Sequence, residues 1–315
     1  MRIPLGLPAP DHRSHDLLAV GANSLDILAV VRVFPEPDGK QAVDQIVESP
    51  GGEAATAAAA VARLGFRARY IGRFGADRFG EVGLAALAAA GVDIDAALTI
   101  PDAPTQSAVI LVEAGSGRRS VLSRRAPGIE IEAGDIPKGV AAQARVLLVD
   151  GHSPAAASAA AAMARAAGTP VVADLDHTAR NIEDLLALSD AVFVPEGMAE
   201  ALTGRAGTGD ALGALQAACH APIVGATLGA GGVLTRAGGA EFRTPVFPVE
   251  AVDTTGAGDA FRGGFIGGWL ALGRTAELED VLRWGAAVAA LACRGLGART
   301  GLPTRAEVEA LLAGG

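Results

Sequence analysis

Residues 252–261 read Val252-Asp253-Thr254-Thr255-Gly256-Ala257-Gly258-Asp259-Ala260-Phe261. Three small residues precede an acid, and beyond it Phe261, Phe265, Trp269 and Leu272 recur at helical spacing. Small residues at a helix start let backbone N–H groups approach an anion closely, and the helix dipole adds partial positive charge there. A carboxylate at such a place repels anions, so its presence calls for a chemical reason. Asp259 is suited to take a proton while the N–H groups of Gly256, Ala257 and Gly258 hold charge developing on a phosphoryl group. The plainer reading is an acid that merely complements the helix dipole.

The composition narrows what such a site can serve. Of 315 residues, 50% are hydrophobic and 19% charged, the balance of a globular chain. A formal net charge of −9 and only 4% aromatics argue against a nucleic-acid partner, so an anionic ligand must be held locally. Cys219 and Cys293, the only cysteines, make no disulfide framework or Cys-x-x-Cys metal site, and a cytoplasmic location is expected. The N-terminus lacks a signal-peptide pattern. The apolar runs near 155–164 and 263–273 fall short of the ~20 residues that cross a bilayer, so no membrane partner is expected. The five histidines, His12, His15, His152, His177 and His220, show no metal-ligand spacing.

From residue 146 onward, strands and helices alternate: strands at 146–149, 171–174, 192–194 and 223–227, helices at 155–167, 182–188 and 211–218. Fully apolar strands in this rhythm predict an α/β, doubly wound, mostly parallel sheet covered by helices on both faces. Residues 17–21 and 69–72 add strands; helices are expected from Glu53 to Leu64 and over 80–90. Residues 28–33 and 40–47 flank the turn Pro35-Glu36-Pro37-Asp38-Gly39, and 106–113 and 119–124 flank Ala114-Gly115-Ser116-Gly117. These pieces, about 28–50 and 104–125, form one small β-sheet standing off the main domain. Residues 1–14 read as a loose tail before a domain over 15–315. Ligands of doubly wound sheets bind at the carboxyl ends of the strands. Residues 21–26, 51–52, 227–232 and the turn after a strand at 249–252 are placed there.

Asp253–Ile266, DTTGAGDAFRGGFI, resembles the C-terminal signature of the PfkB/ribokinase family of sugar kinases. Gly51-Gly52-Glu53-Ala54-Ala55-Thr56, followed by Gly65 and Gly75, resembles the N-terminal signature, with Thr56 where the family usually has Asn. Residues 75–80 resemble the family's G-x-D-x-F-G turn, and Thr227-Leu228-Gly229-Ala230-Gly231-Gly232 its nucleotide-binding loop. The likeness runs in order over about residues 16–312. It implies a ribokinase-like three-layer α/β/α fold with a β-sheet lid, and ATP-dependent phosphorylation of a sugar hydroxyl with Mg²⁺. Asp259 is then the base, and Gly256, Ala257 and Gly258 form the anion hole. Asp26, Gly51, Gly52 and Thr56 face the sugar; Thr227, Gly229, Gly232 and Thr255 lie near the nucleotide. The resemblance also implies a homodimer through the lid.

The family's Asn-x-x-Glu, which organises Mg²⁺ through water, is incomplete: the chain reads Pro195-Glu196-Gly197-Met198-Ala199-Glu200. Glu196 or Glu200 fills the role, and the sequence does not choose. Asp253 and Thr255 either order a monovalent cation such as K⁺ or make a turn in which Asp253 accepts from the backbone two residues on. Residues 186–190 and 194–204 look most like ketohexokinase and sulfofructose kinase, which points to a ketose-like substrate. Arg118, Arg119, Arg124 and Arg125, joined by Lys40, are either a clamp for an anionic sugar or a solvated edge strand. His152 follows a strand and is a candidate substrate contact. Asp174 and Asp176 end a strand, as metal or phosphate supports or a helix cap. The rivals are a nucleoside or vitamin-alcohol kinase and a non-catalytic sugar sensor. A nicotinamide dehydrogenase would require glycines that Gly21-Ala22-Asn23-Ser24-Leu25-Asp26 lacks.

Overall fold

The computed structural model describes residues 1–179 and 181–314. In chain order the first half carries β1 (His15–Val20), β2 (Ser24–Val31), β3 (Gln45–Gly51), α1 (Glu53–Arg63), β4 (Ala68–Ile71), β5 (Arg73–Gly75), α2 (Arg78–Ala89), β6 (Leu98–Ile100), β7 (Ser107–Glu113) and β8 (Arg119–Arg124). The second half carries β9 (Ala144–Asp150), α3 (Pro154–Ala166), β10 (Val171–Asp174), α4 (Ile182–Leu188), β11 (Ala191–Pro195), α5 (Met198–Thr203), α6 (Thr208–Cys219), β12 (Ile223–Thr227), β13 (Val233–Ala237) and β14 (Ala240–Thr244). It ends with α7 (Ala257–Leu272), α8 (Leu278–Ala292) and α9 (Arg305–Gly314).

Eight strands form the main sheet in the order β14-β13-β12-β11-β10-β9-β1-β4. It is parallel from β4 to β12, and β13 and β14 add an antiparallel edge. Both faces are covered, so the strands are apolar throughout. Leu17 and Ala19 pack into one core with α1, α7 and α8, while Leu18 and Val20 pack into the other with α3, α4 and α6. The paired glycines of α7 serve close packing. A Cβ at Gly263 would lie 2.6 Å from Ala60 Cβ on α1, and one at Gly268 would lie 2.4 Å from Trp284 Cβ on α8. No described helix is long and apolar enough to cross a membrane.

The chain leaves β1 for β4 on one side and later for β9 on the other, which opens a crevice at their carboxyl ends. A four-stranded sheet, β3-β2-β7-β8, stands over it as the expected lid. Asp77 ties the lid to the main domain. It caps α2 by accepting from Gly80 N at 2.8 Å and also accepts from Thr105 N and Oγ1, at 2.9 and 2.6 Å, just ahead of β7.

Several expectations are corrected. Residues 1–14 are not a loose tail. Ile3 and Leu7 are buried, Ile3 N donates to Ala276 O at 2.9 Å, Leu278 N to Met1 O at 2.8 Å, and Arg274 Nε to Leu7 O at 2.8 Å. Two apolar side chains spaced four apart suffice to seat the segment beside the start of α8. In the lid, β2 begins earlier than residue 28 and β3 later than residue 40, so Asp26 lies on a strand and Lys40 in an exposed loop. Pro35, Pro37 and Gly39 lengthen that loop because prolines cannot donate to a ladder. Residues 249–252 form no strand. The β13–β14 hairpin, turned at Gly238-Gly239, was not anticipated from sequence.

Candidate active site

The crevice between sheet and lid is a cleft of about 1070 Å³. Residues 253–259 form one wall. Gly256 caps α7 in the left-handed region, φ 74°, and a Cβ there would fall 2.6 Å from Ala298 Cβ. Only glycine makes this turn without strain, and it presents the first N–H groups of a 16-residue helix to the cleft. Asp259 sits in that first turn and lines the cleft. Burial pushes its carboxyl up; Arg262 opposes the shift, and the nearby Asp176 and Asp150 reinforce it. A carboxylate whose charge is this disfavoured is a better proton acceptor than an exposed one.

Asp253 braces this turn. Its Oδ1 accepts from Thr255 N at 2.9 Å and Thr255 Oγ1 at 2.7 Å, and its Oδ2 from Gly297 N at 2.8 Å. These are the contacts of the turn reading, with both oxygens engaged by protein donors. The lid reaches the same loop: Thr254 Oγ1 donates to Gly117 O at 2.9 Å, and Arg119 Nη1 donates to Thr254 Oγ1 at 2.9 Å.

Asp26 reaches the cleft from β2 and is 6% exposed. It accepts from Ala108 N at 3.1 Å. Burial pushes its carboxyl up to about 6 against the hydrogen bonds of Ser24 and Ala108 and the charge of Arg299. Gly51 and Gly52 lie beside it, and a Cβ at Gly51 would fall 2.3 Å from Asp26 Oδ2. Thr56 is fully buried and does not reach the cleft; its hydroxyl accepts from Arg299 Nε at 3.3 Å. Arg299 Nη2 also donates to Gly51 O at 2.5 Å, so this arginine links Thr56 to the Gly51 loop.

The floor is acidic. Asp174, at the end of β10, pairs with Arg262 of α7 at 2.7 Å, both side chains almost fully buried. Burial pushes Asp174 up against the pull of Arg262. His152, after β9, lines the cleft and meets Glu53 Oε1 at 2.9 Å. Glu53, at the start of α1, is pushed well up by burial and by Asp174, Asp150 and Asp176. Farther along the sheet, Thr227, Gly229, Gly232 and Glu196 line the end opposite Asp26, and Thr255 faces them from the α7 loop.

Besides Thr56 and Asp253, three expected residues do not line the cleft. Lys40 lies in its exposed loop. On β8 the pleat alternates: Arg119, Val121 and Ser123 line the cleft, as does Arg125 just beyond it, while Arg124, paired with Ser107, does not. Glu200, on α5, accepts from Thr208 Oγ1 at 2.8 Å and does not line the cleft, leaving Glu196 as the one of the two that does. Arg262, Arg299 and Glu53 were not singled out from sequence. Arg262 carried a signal, the one basic residue of an otherwise apolar helix body beyond Asp259; Arg299, in a loop after α8, carried none.

This is a lidded, doubly wound α/β domain in which a helix start and an acid line one cleft. A family profile described as pfkB family carbohydrate kinase matches residues 14–305. The chain belongs to that family of kinases, which phosphorylate a sugar hydroxyl. It is 30% identical over 299 residues to a ribokinase of Haemophilus influenzae, covering 92% of this chain and 96% of that one. It is 30% identical over 298 residues to an ATP-dependent ribose-1-phosphate kinase of Halopiger xanaduensis, covering 94% and 97%. The structure of Arabidopsis thaliana ribokinase complexed with ribose and ATP superposes with a TM-score of 0.80 at 26% identity, covering 95% and 98%.

Proposed function

We propose that this kinase transfers the γ-phosphoryl group of ATP to a hydroxyl of an anionic, ketose-like sugar, with Asp259 as base. The observation that carries the reading is the Asp259 carboxyl, in the first turn of α7 and in one cleft with Gly256, Ala257 and Gly258, its charge disfavoured by desolvation and neighbouring acids. The sugar lies between Asp26, Gly51 and the lid. Its hydroxyl oxygen attacks the γ-phosphorus as Asp259 takes the proton. The bond from the γ-phosphorus to the bridging oxygen breaks, and ADP leaves. The α7 N–H groups offset charge on the transferred group. ATP occupies the end lined by Thr227, Gly229, Gly232 and Thr255. Mg²⁺ suits an all-oxygen setting, and Glu196, a carboxylate at that end of the cleft, is the residue to hold it through water. Bound there, Mg²⁺ neutralises phosphate charge. The lid, resting on Thr254 through Gly117 and Arg119, excludes water during transfer.

Arg119 and Arg125 support an anionic sugar. Both line the cleft from the lid. Among the described residues neither has a carboxylate within salt-bridge distance, whereas Arg118 is taken by Glu113 at 2.8 Å. The ribose-1-phosphate kinase relative also takes a charged sugar, by its name. The outer face of the lid exposes Ile46 (64%), Val109 (41%) and Leu122 (64%), and we assign this patch to a homodimer. Two free thiols, Cys219 and Cys293, fit a reducing cytoplasm.

The test is ADP release with Mg-ATP against neutral ketoses and aldoses set beside phosphorylated and sulfonated sugars. Highest kcat/KM on a charged ketose is expected. Highest kcat/KM on a neutral sugar or a nucleoside would overturn the substrate class, and no turnover on any of them would overturn the kinase reading.

A further inference from the structure

On the cleft floor two imidazoles lie against each other. The rings of His152 and His177 are 4.7 Å apart, inclined at 39°. Each has one nitrogen against a carboxylate: His152 Nε2 meets Glu53 Oε1 at 2.9 Å, and His177 Nδ1 meets Asp176 Oδ1 at 2.5 Å. The ligand atoms of His152, Asp176 and His177 lie within 4.8 Å of one another. Two atoms of this cluster, His177 Nε2 and Glu53 Oε2, are buried with no hydrogen-bond partner among the described residues.

A pair of ordinary hydrogen bonds does not account for this arrangement. Buried polar atoms without partners are costly, and His177 Nε2 and Glu53 Oε2 are two of them on one cluster. The surroundings are rich in carboxyl groups. Glu53, Asp150, Asp174, Asp176 and Asp259 act on one another there, and among the described residues the buried Arg262 is taken by Asp174. An imidazole fixed by a carboxylate on one nitrogen is the usual arrangement of a metal ligand bound through the other. Two nitrogens and a carboxylate oxygen suit zinc, cobalt or nickel, whereas Mg²⁺ prefers oxygen alone.

We infer that His152, His177 and Asp176 form a site for a divalent transition-metal ion of the zinc class, with Glu53 orienting His152. It is separate from the Mg²⁺ that accompanies ATP. The inference does not rest on the kinase reading and is tested without nucleotide or sugar.

Untagged, chelator-treated protein is titrated calorimetrically with zinc chloride in the presence of millimolar Mg²⁺. One equivalent per chain is expected to bind. Asp176→Asn, which removes a ligand charge, is expected to weaken it by more than the about 10–100-fold lost with an orienting carboxylate, and His152→Gln and His177→Gln by at least as much. X-ray absorption on the zinc-loaded wild type, which needs no variant to fold, should show two imidazole nitrogens per zinc. Absence of saturable binding, displacement by Mg²⁺, binding unchanged in both histidine variants, or a zinc shell without imidazole would each overturn the inference.

Discussion

Replacing Asp26 by Asn should make the protein more stable at neutral pH and worse at its task. The wild-type carboxyl is 6% exposed and pushed up from about 3.8 to about 6. A raised acid contributes its full stability below pH 3.8 and loses it as pH rises through about 6. At about 1.36 kcal/mol per pH unit, the loss at pH 7.5 is about 3 kcal/mol, and at pH 4.5 about 1 kcal/mol. Asn carries no charge and keeps an oxygen to accept from Ala108 N. The variant should therefore unfold at a higher temperature at pH 7.5, by up to about 6 °C at roughly 2 °C per kcal/mol in a chain of this length. The gap should close to about a third of that at pH 4.5. KM for the sugar should rise at least tenfold, the worth of a charge-assisted hydrogen bond. Calorimetric unfolding at both pH values, with steady-state kinetics, makes the check. A gap independent of pH, or a wild type more stable at pH 7.5, would refute the placement of Asp26 as a buried, strained carboxylate.

Gly256→Ala places a Cβ 2.6 Å from Ala298 in a left-handed turn, so kcat should fall at least about tenfold while KM for the sugar changes little. A variant with normal kcat would separate the α7 turn from catalysis. Arg125→Met should raise KM for a charged sugar by about tenfold or more and leave a neutral analogue unaffected, measured side by side. Arg262→Met strands Asp174 in the interior. Denaturant unfolding should show a loss of up to about 3–5 kcal/mol at alkaline pH, smaller near pH 6 where Asp174 can hold a proton.

The main sheet was legible because β9 to β12 are buried on both faces and so read as unbroken apolar runs. The turn at Gly256 was legible because its geometry admits little but glycine. Lys40 and Arg124 were misplaced for a different reason. Where β3 begins depends on how far the Pro35–Gly39 loop extends, and which face Arg124 takes depends on the register of β8 against β7, and a one-residue slip reverses every side chain. The docked N-terminus was illegible because Ile3 and Leu7 are buried by residues more than 260 positions away, such as Ala276. The His152–His177 pair was hidden likewise. The two residues are 25 positions apart with no ligand spacing, and only the parallel pairing of β9 with β10 sets them side by side.

The central claim is that the acid beneath the α7 N-terminus takes the proton of the attacking hydroxyl. Asp259→Asn with Mg-ATP and the preferred sugar tests it most directly. Turnover should fall by about 10²–10⁴, with ATP and sugar binding by calorimetry within a few-fold of wild type and stability at neutral pH undiminished, because a disfavoured charge has been removed. Turnover within tenfold of wild type would contradict it.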